Sequence, residues 1–249
     1  MTECGICGGT GWKVMERGGI TGAEKCQCAL AERTTILLEQ ARIPPLYQNA
    51  SFDNFVLPDD NPTALNALGF VYRHVREYAR TYPASEKPGL LLIGNPGTGK
   101  THLAVAALRT LIGRGFEGLF FDYQNLLDRI RSGYDTNSGS SDKEAYRTVL
   151  DAPVLLMDDL GAHRVTDWVE DTVTSIITYR CNHRKPLIAT TNLLDPEAGS
   201  IVDRSSTGMG IKTTLSERIG MRARSRLFEM CKVIRMPSVE DYRLKRVRP

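Results

Sequence analysis

Histidine, tryptophan and long apolar runs are all scarce in this sequence. Its 249 residues include only two tryptophans and four histidines. The histidines show no metal-ligand spacing, which argues against a histidine-based metal centre. No apolar run approaches the roughly 20 residues that a membrane helix needs, and no apolar stretch with a basic start marks a secretory leader. We therefore expect a cytoplasmic protein that makes no membrane contact.

Net charge is small as well. The 32 basic and 29 acidic residues give a formal charge of +3. Such a mild excess permits a nucleic-acid partner without arguing for one. With 41% hydrophobic residues, the chain can bury a full core, and its length suits one sizeable domain with an appendage.

Cysteine is concentrated near the N-terminus, where four of the six residues form two close pairs. Two residues separate Cys4 from Cys7, and one separates Cys26 from Cys28. In a reducing compartment, such pairs bind metal more often than they form disulfides. Four thiolates suit tetrahedral Zn²⁺, and residues 1–28 have too few apolar groups to fold without it. The pattern predicts a structural zinc-binding module over residues 1–28, with an Fe–S cluster, a disulfide pair or free thiols as the alternatives.

From residue 89 onward, short apolar strands alternate with helical patterns. This alternation predicts an open parallel α/β sheet of five strands flanked by helices. The predicted strands are 89–93, 119–122, 154–157, 187–190 and 231–236, and the last predicted helix is 213–230. Helices at 29–42 and 62–81 come earlier, joined by an irregular segment that Phe52 and Phe55 would anchor. Sheets of this kind bind ligands at the carboxyl ends of their strands.

A complete phosphate-binding loop follows the first predicted strand. It consists of Gly94, Asn95, Pro96, Gly97, Thr98, Gly99, Lys100 and Thr101. Its glycines let backbone N–H groups surround phosphates at the positive end of the next helix. Lys100 would contact the β- and γ-phosphates, and the Thr101 hydroxyl would bind Mg²⁺. We expect this segment, with the following His102, to bind ATP; a glycine-rich turn without a ligand is the alternative.

Polar side chains also end two other predicted strands. Asp158 and Asp159 follow the third strand, where the first would hold Mg²⁺ directly or through water and the second could orient the attacking water. Asp159 is one methylene shorter than the more usual Glu. Asn192 follows the fourth strand and could hydrogen-bond that water or the γ-phosphate. Taken alone, the acids could be solvated carboxylates and Asn192 a turn residue; beside a complete P-loop, they predict a site for hydrolysis.

The order of these motifs resembles the AAA+ ATPases, and within them the bacterial helicase loaders of the DnaC and DnaI type and the related IstB transposition helpers. The resemblance extends over essentially the whole chain. The matching segments are 94–101, 155–161, Asn192, 217–218, 225–227 and the linker pieces 41–45 and 51–55.

The resemblance implies an AAA+ core over residues 62–249 without a C-terminal lid domain, preceded by a helix and linker over residues 29–61. It also implies an arginine finger that reaches the nucleotide of a neighbouring subunit. Arg226 is the best positional match for this finger and Arg218 the second, whereas a solvated helix face is the plainer interpretation of both. Arg243 falls near the place of a sensor 2 arginine.

The implied function is ATP-dependent loading of a hexameric replicative helicase onto single-stranded DNA. Its cofactors would be ATP, Mg²⁺ and Zn²⁺, and hydrolysis would be slow and stimulated by homo-oligomerisation or DNA. The helix after the second strand would contact DNA through Arg129, Arg131 and Tyr134, although a solvated basic face has the same pattern. An IstB-like helper on duplex DNA is the nearest alternative, and the cysteine-bearing N-terminus favours the loader. A metabolic P-loop kinase and a nucleotide-gated regulator with little hydrolysis are more distant alternatives.

Overall fold

The computed structural model describes residues 4–132, 141–195 and 214–245. The N-terminal part contains an antiparallel hairpin, a helix, a short 3-10 turn and a long helix. These are β1 (Trp12–Arg17), β2 (Ile20–Lys25), α1 (Gln27–Gln40), the 3-10 turn (Pro45–Tyr47) and α2 (Pro62–Thr81). Among the described residues, no helix combines the length and the apolar character needed to cross a membrane.

Strands and helices alternate in the rest of the chain, as the sequence pattern predicts. The strands are β3 (Gly89–Ile93), β4 (Gly118–Asp122), β5 (Val154–Asp158), β6 (Leu187–Thr191) and β7 (Cys231–Arg235). The helices are α3 (Lys100–Gly113), α4 (Tyr123–Ser132), α5 (Ser141–Asp151), α6 (Asp167–Asn182), α7 (Leu215–Ile219), α8 (Met221–Met230) and α9 (Tyr242–Lys245). The strands form one sheet in the order β4-β5-β6-β3-β7, and every neighbouring pair is parallel. The predicted five-stranded parallel sheet is therefore confirmed.

Helices cover both faces of this sheet, which explains why its central strands are apolar without a break. Every residue of β3, β5 and β6 is buried. Alternate side chains of β3 enter different cores. Leu90 and Leu92 pack with α2 and α3, whereas Leu91 and Ile93 pack with α4 to α8. Strands buried on both faces read as continuous hydrophobic runs rather than as alternating ones.

The segment between α1 and α2 is anchored to the core by two phenylalanines, as predicted. Phe52 is buried and meets the Tyr72 ring edge-on, with centroids 5.6 Å apart. Phe55 stacks on the same Tyr72 ring at 6.1 Å. Leu37 and Ala41 of the preceding segment join the same core, so the linker shares its packing with the sheet domain.

Two elements differ from the sequence-based prediction. The single helix expected over 213–230 is two helices, α7 and α8, within the described residues. Gly220 separates them with φ 81°, and the Glu170 side chain packs where a β-carbon on Gly220 would lie, so another residue there would be strained and obstructed. The N-terminal 28 residues, for which no strand was predicted, contain the β1–β2 hairpin around Gly18 and Gly19.

A buried arginine connects α6 to the end of α5 and to the start of β6. Arg180 of α6 is fully buried, and its guanidinium donates to the carbonyls of Val149 (2.7 Å), Ala152 (3.0 Å) and Pro186 (2.6 Å). The first two carbonyls lie at the C-terminal end of α5, where the helix dipole favours a cation. Arg180 therefore joins α5 and the start of β6 to α6.

Candidate nucleotide-binding site

The P-loop connects the end of β3 to the start of α3 and is shaped by glycines with left-handed backbones. Gly97 has φ 73° and Gly99 has φ 90°. A β-carbon on Gly99 would lie 2.6 Å from Cε2 of Phe55, and one on Gly97 would collide with the Asp241 carboxylate. Any larger residue would therefore displace the loop or its neighbours, while glycine permits the close backbone curvature that phosphate binding requires.

Lys100 is held inside this loop. Its ammonium donates to the Asn95 carbonyl at 2.8 Å, and the Thr98 hydroxyl donates to the same carbonyl at 2.9 Å. Burial lowers the pKa of Lys100 to about 8, although the nearby Asp159 and Asp158 carboxylates oppose this change. The side chain is thus oriented by the loop in which phosphates would be bound.

Asp158 lies at the centre of a hydrogen-bonded cluster at the carboxyl ends of β5 and β6. Its Oδ1 accepts from the hydroxyls of Thr101 (3.0 Å) and Thr190 (2.6 Å). Burial raises the pKa of Asp158, and the two hydroxyl donors act in the opposite direction. The predicted Mg²⁺-binding pair, Thr101 and Asp158, is therefore brought together across 57 residues of sequence.

The second acid of the motif is fixed by the neighbouring strand. The backbone N–H of Asp159 donates to the Thr190 hydroxyl at 3.0 Å, and the Asn192 amide donates to Asp159 Oδ1 at 2.9 Å. Asp159 has φ 53°, a left-handed backbone that is uncommon outside glycine. A carboxylate and an amide fixed in this way can position a water molecule beside a phosphate.

Thr190 has a larger role than its sequence position suggests. Its hydroxyl donates to Asp158 and accepts from the N–H of Asp159, and the residue is fully buried. Thr191 then donates to the Leu160 carbonyl at 2.8 Å. The two threonines end an otherwise apolar strand, and this was the only signal in the sequence for their function as a brace between β5 and β6.

The C-terminal segment lies against the P-loop, which the sequence did not reveal. The backbone N–H of Tyr242 donates to the Gly97 carbonyl at 3.2 Å, and the Asp241 carboxylate packs on Gly97. Arg243 is near enough to Lys100 to contribute to lowering the pKa of that lysine. The role of Arg243 as a sensor of the nucleotide stays a prediction.

The two candidate finger arginines occupy separate helices. Arg226 on α8 is exposed and forms an ion pair with Glu229 at 2.7 Å. Arg218 on α7 is half-buried and donates to the His163 carbonyl at 3.4 Å. Arg226 also lines an open groove between α6 and α8, together with Arg222 and Asp171. Of these two candidates, Arg226 is the one whose cation lies at an exposed position, as a residue that reaches another subunit must.

His102 contacts the linker. Its Nε2 lies 2.9 Å from the Ser51 carbonyl oxygen, and its ring meets Phe55 edge-on at 5.4 Å. These contacts join α3 to the segment that precedes α2.

Of the proposed DNA-binding residues, Arg129 and Arg131 are exposed in the last turn of α4, and Tyr134 lies outside the described residues.

The two cysteine pairs meet in space around the base of the hairpin. Cys4 Sγ lies 3.8 Å from Cys26 Sγ, Cys7 Sγ lies 3.4 Å from Cys28 Sγ, and all four sulfurs lie within 4.8 Å of one another. Four sulfurs at about 2.3 Å from a tetrahedral Zn²⁺ would be about 3.8 Å apart, so the cluster fits this ion. The hydrogen bond between Cys7 and Cys28 lowers the pKa of Cys7 and raises that of Cys28, so these two thiols share one proton more readily than they lose both.

The fold and the site together define a P-loop ATP-binding protein of the AAA+ class. The chain belongs to the family of IstB-like ATP-binding proteins, whose model matches residues 66–205. It is also similar to the crystal structure of the DnaC helicase loader, with 31% identity and a TM-score of 0.63 over 78% of this chain and all of that one. The resemblance that the motifs suggested is therefore confirmed.

Two curated relatives show the same similarity in sequence. The replicative helicase loader DnaC of Escherichia coli (strain K12) is 25% identical over 177 residues, covering 71% of this chain and 69% of DnaC. The uncharacterised protein YqaM of Bacillus subtilis (strain 168) is 26% identical over 179 residues. The match covers 70% of this chain but only 55% of YqaM, so the chain spans little more than half of that relative.

Proposed function

We propose that this protein is an ATP-dependent loader that places a hexameric replicative helicase on single-stranded DNA during replication. The observation that carries the ATPase part is the cluster of hydrogen bonds from Thr101 through Asp158 and Thr190 to Asp159 and Asn192. It links the Mg²⁺-binding pair to the pair that would orient water. The similarity to DnaC, a replicative helicase loader, supports the helicase-loading part.

ATP would be held by the backbone N–H groups of residues 94–101 and by Lys100, with Mg²⁺ between Thr101 and Asp158. Adjacent oxygen ligands of an octahedral Mg²⁺ at about 2.0–2.1 Å are about 2.9 Å apart. Thr101 Oγ1 and Asp158 Oδ1 are 3.0 Å apart, so this pair fits the ion. When bound, the ion would neutralise charge on the β- and γ-phosphates.

Asp159 and Asn192 would act on the attacking water. The amide of Asn192 fixes the rotation of the Asp159 carboxylate, so the carboxylate can polarise a water that lies in line with the γ-phosphate. Because Asp is shorter than Glu, we expect slow turnover that assembly or DNA accelerates.

Homo-oligomerisation on DNA would complete the site through Arg226. A guanidinium stabilises charge on a γ-phosphoryl group, and a finger supplied by another subunit makes hydrolysis depend on assembly. Among the ion pairs of the described residues, Arg226 takes part in one, with the exposed Glu229 of its own helix, and such an exposed pair costs little to break.

Replacing Arg226 with alanine is therefore expected to abolish the stimulation of ATPase by assembly, with a loss of about 10³-fold in stimulated turnover. ATP binding to the isolated chain should change by less than about 2-fold. None of the hydrogen bonds and ion pairs found among the described residues joins Arg226 to the P-loop. Turnover is measured with and without single-stranded DNA, and affinity is measured with a fluorescent ATP analogue.

The matched control is Arg222→Ala, which removes a neighbouring exposed arginine from the same groove. It should retain most of the stimulation. Stimulated turnover that is unchanged in Arg226→Ala and lost in Arg218→Ala would transfer the finger to α7.

The N-terminal residues 1–28 would form a separate zinc module that binds the helicase. Apart from its half-buried Lys13 and Met15, the described part of the hairpin is exposed, including three large apolar residues: Trp12, Val14 and Ile20. Large apolar groups that stay exposed in a small module favour a surface for protein contact.

DNA would be held by the exposed Arg129 and Arg131, and such binding should weaken steeply with salt.

The test measures ATPase activity and complex formation with a purified hexameric helicase, with single-stranded DNA and with duplex DNA. Co-purification with the helicase and stimulation by single strands would support the loader. The family match favours a second candidate, an IstB-like transposition helper. Stimulation by duplex DNA and co-purification with a transposase, without any helicase complex, would replace the loader by that helper.

A further inference from the structure

A buried ion pair connects the segment after β6 to helix α8. The Arg224 guanidinium donates through Nε to Asp195 Oδ2 and through Nη2 to Asp195 Oδ1, both at 2.8 Å. Asp195 is 1% exposed, and the Arg224 side chain is 14% exposed. The guanidinium also stacks 4.2 Å from the centroid of the Phe228 ring. Two parallel hydrogen bonds and a stacked ring fix the orientation of both partners.

The two ends of this connection lie at functionally different places. Asp195 comes three residues after Asn192, whose amide donates to Asp159 Oδ1 at 2.9 Å. Between them, the carbonyl of Leu194 accepts from the backbone N–H of Leu215 at 3.1 Å. If Asn192 moves when a γ-phosphate binds or leaves, only three residues of chain separate it from the contact that Asp195 makes with α8.

The geometry of α8 determines what this displacement would move. Arg224 lies about 200° around the helix from both Arg222 and Arg226, which are one turn apart on the outer face. Arg222 and Arg226 are both exposed and line the groove between α6 and α8. The inner face of α8 is thus bound to the segment after Asn192, while its outer face carries the cations offered to another subunit.

We propose that the Asp195–Arg224 pair is a positioning clasp that couples the nucleotide state at Asn192 to the placement of Arg226 on α8. Arg224 acts through the helix and touches neither the nucleotide nor the reacting atoms. With the clasp intact, α8 adopts one position with ATP and another with ADP. Without it, nucleotide still binds, but α8 no longer responds. This inference rests on the proposed ATPase and is independent of which partner is loaded.

The test compares amide hydrogen exchange in α8 of the full chain, with Mg²⁺ and either a non-hydrolysable ATP analogue or ADP. In the parent protein, we expect exchange in α8 to differ by about 5-fold or more between the two nucleotides. The double variant Asp195→Leu, Arg224→Met replaces the ion pair by apolar groups and avoids leaving one charge buried alone. It should bind both nucleotides within about 3-fold of the parent and show the same exchange with either one.

A matched control removes another buried arginine fork. Arg180→Lys disturbs hydrogen bonds to the carbonyls of Val149 and Pro186, outside the clasp. It should lower the melting temperature and keep the difference between ATP analogue and ADP. If the double variant melts below the assay temperature, Arg224→Lys takes its place. This variant keeps the positive charge but loses the pair of hydrogen bonds to Asp195. It is compared with Arg180→Lys under conditions in which the two variants have the same free energy of unfolding.

Exchange in α8 that still responds to the nucleotide after loss of the clasp would overturn the proposal, as would a parent protein whose α8 never responds. These outcomes are separate from the fate of the loader. If α8 responds to the nucleotide but the protein binds no helicase, the loader is rejected and the clasp is supported. If α8 does not respond but the protein loads helicase, the clasp is rejected and the loader is supported.

Discussion

Replacing Lys100 with alanine is expected to weaken ATP binding by at least about 100-fold, which corresponds to about 2.7 kcal/mol. Two effects add in this variant. The ammonium that would contact the β- and γ-phosphates is lost, and hydrogen bonds to charged groups are each worth about 1.5–3 kcal/mol. The carboxylates of Asp158 and Asp159, which interact with Lys100, are left without this cation beside a highly charged ligand. Titration with a fluorescent ATP analogue in the presence of Mg²⁺ measures the change.

Lys87 offers a matched control at the opposite end of β3. Its ammonium donates to the Phe228 carbonyl at 2.7 Å, so Lys87→Ala removes an equally hydrogen-bonded, partly buried lysine away from the P-loop. We expect its ATP affinity to stay within about 2-fold of the parent, since distant sites usually act independently. An affinity that falls equally in both variants would show that Lys100 stabilises the fold and does not bind phosphate.

The sheet was predictable because each strand carries its own signal. The run Leu90, Leu91, Leu92 and Ile93 is continuous and apolar, as a strand covered on both faces must be. The order of the strands was not predictable in the same way. β3 pairs with β6 and β7, which are far along the chain, and nothing in the local sequence of each strand specifies which strands become neighbours.

The site was predictable to a similar extent. Phosphate binding imposes the internal spacing of the P-loop, an apolar strand that ends in two acids marks Asp158, and Thr101 and Asp158 do meet. The contact between Asp241 and Gly97, by contrast, depends on how the chain returns to the loop after β7, and no short motif records that path. Thr190 was overlooked because a threonine in a strand is common, and its function arises only when Asp158 lies beside it.

The hairpin was missed for a different physical reason. β2 is exposed at all six positions, so it has no buried face to produce the alternating pattern by which strands are recognised. Gly18 and Gly19 were the remaining signal, since two glycines suit the turns that join short hairpins. A two-stranded hairpin without a core is at best marginally stable in water. Its order must therefore come from somewhere other than hydrophobic burial.

The cysteine cluster is the expected source of that order, so removing it should have a large and local effect. Freshly purified protein should contain about one zinc per chain, and the double variant Cys7→Ser, Cys28→Ser should contain none. Structural Zn²⁺ contributes about 10–16 kcal/mol in zinc-finger peptides, far more than a bare hairpin can supply. The first 28 residues of the variant should become sensitive to protease, while ATP affinity stays within about 2-fold of the parent, because the P-loop lies in a separately packed core.

Cys181→Ser is the matched control, because Cys181 lies on α6 and outside the four-sulfur cluster. It should keep the metal and the protease resistance of the N-terminus. Metal analysis separates the remaining alternatives, since an Fe–S cluster would yield iron and visible colour, and a disulfide would lower the count of reactive thiols. The zinc assignment would be wrong if the parent protein held no metal and the hairpin of the double variant stayed resistant to protease. Hydrogen bonds within the module would then be enough to hold it.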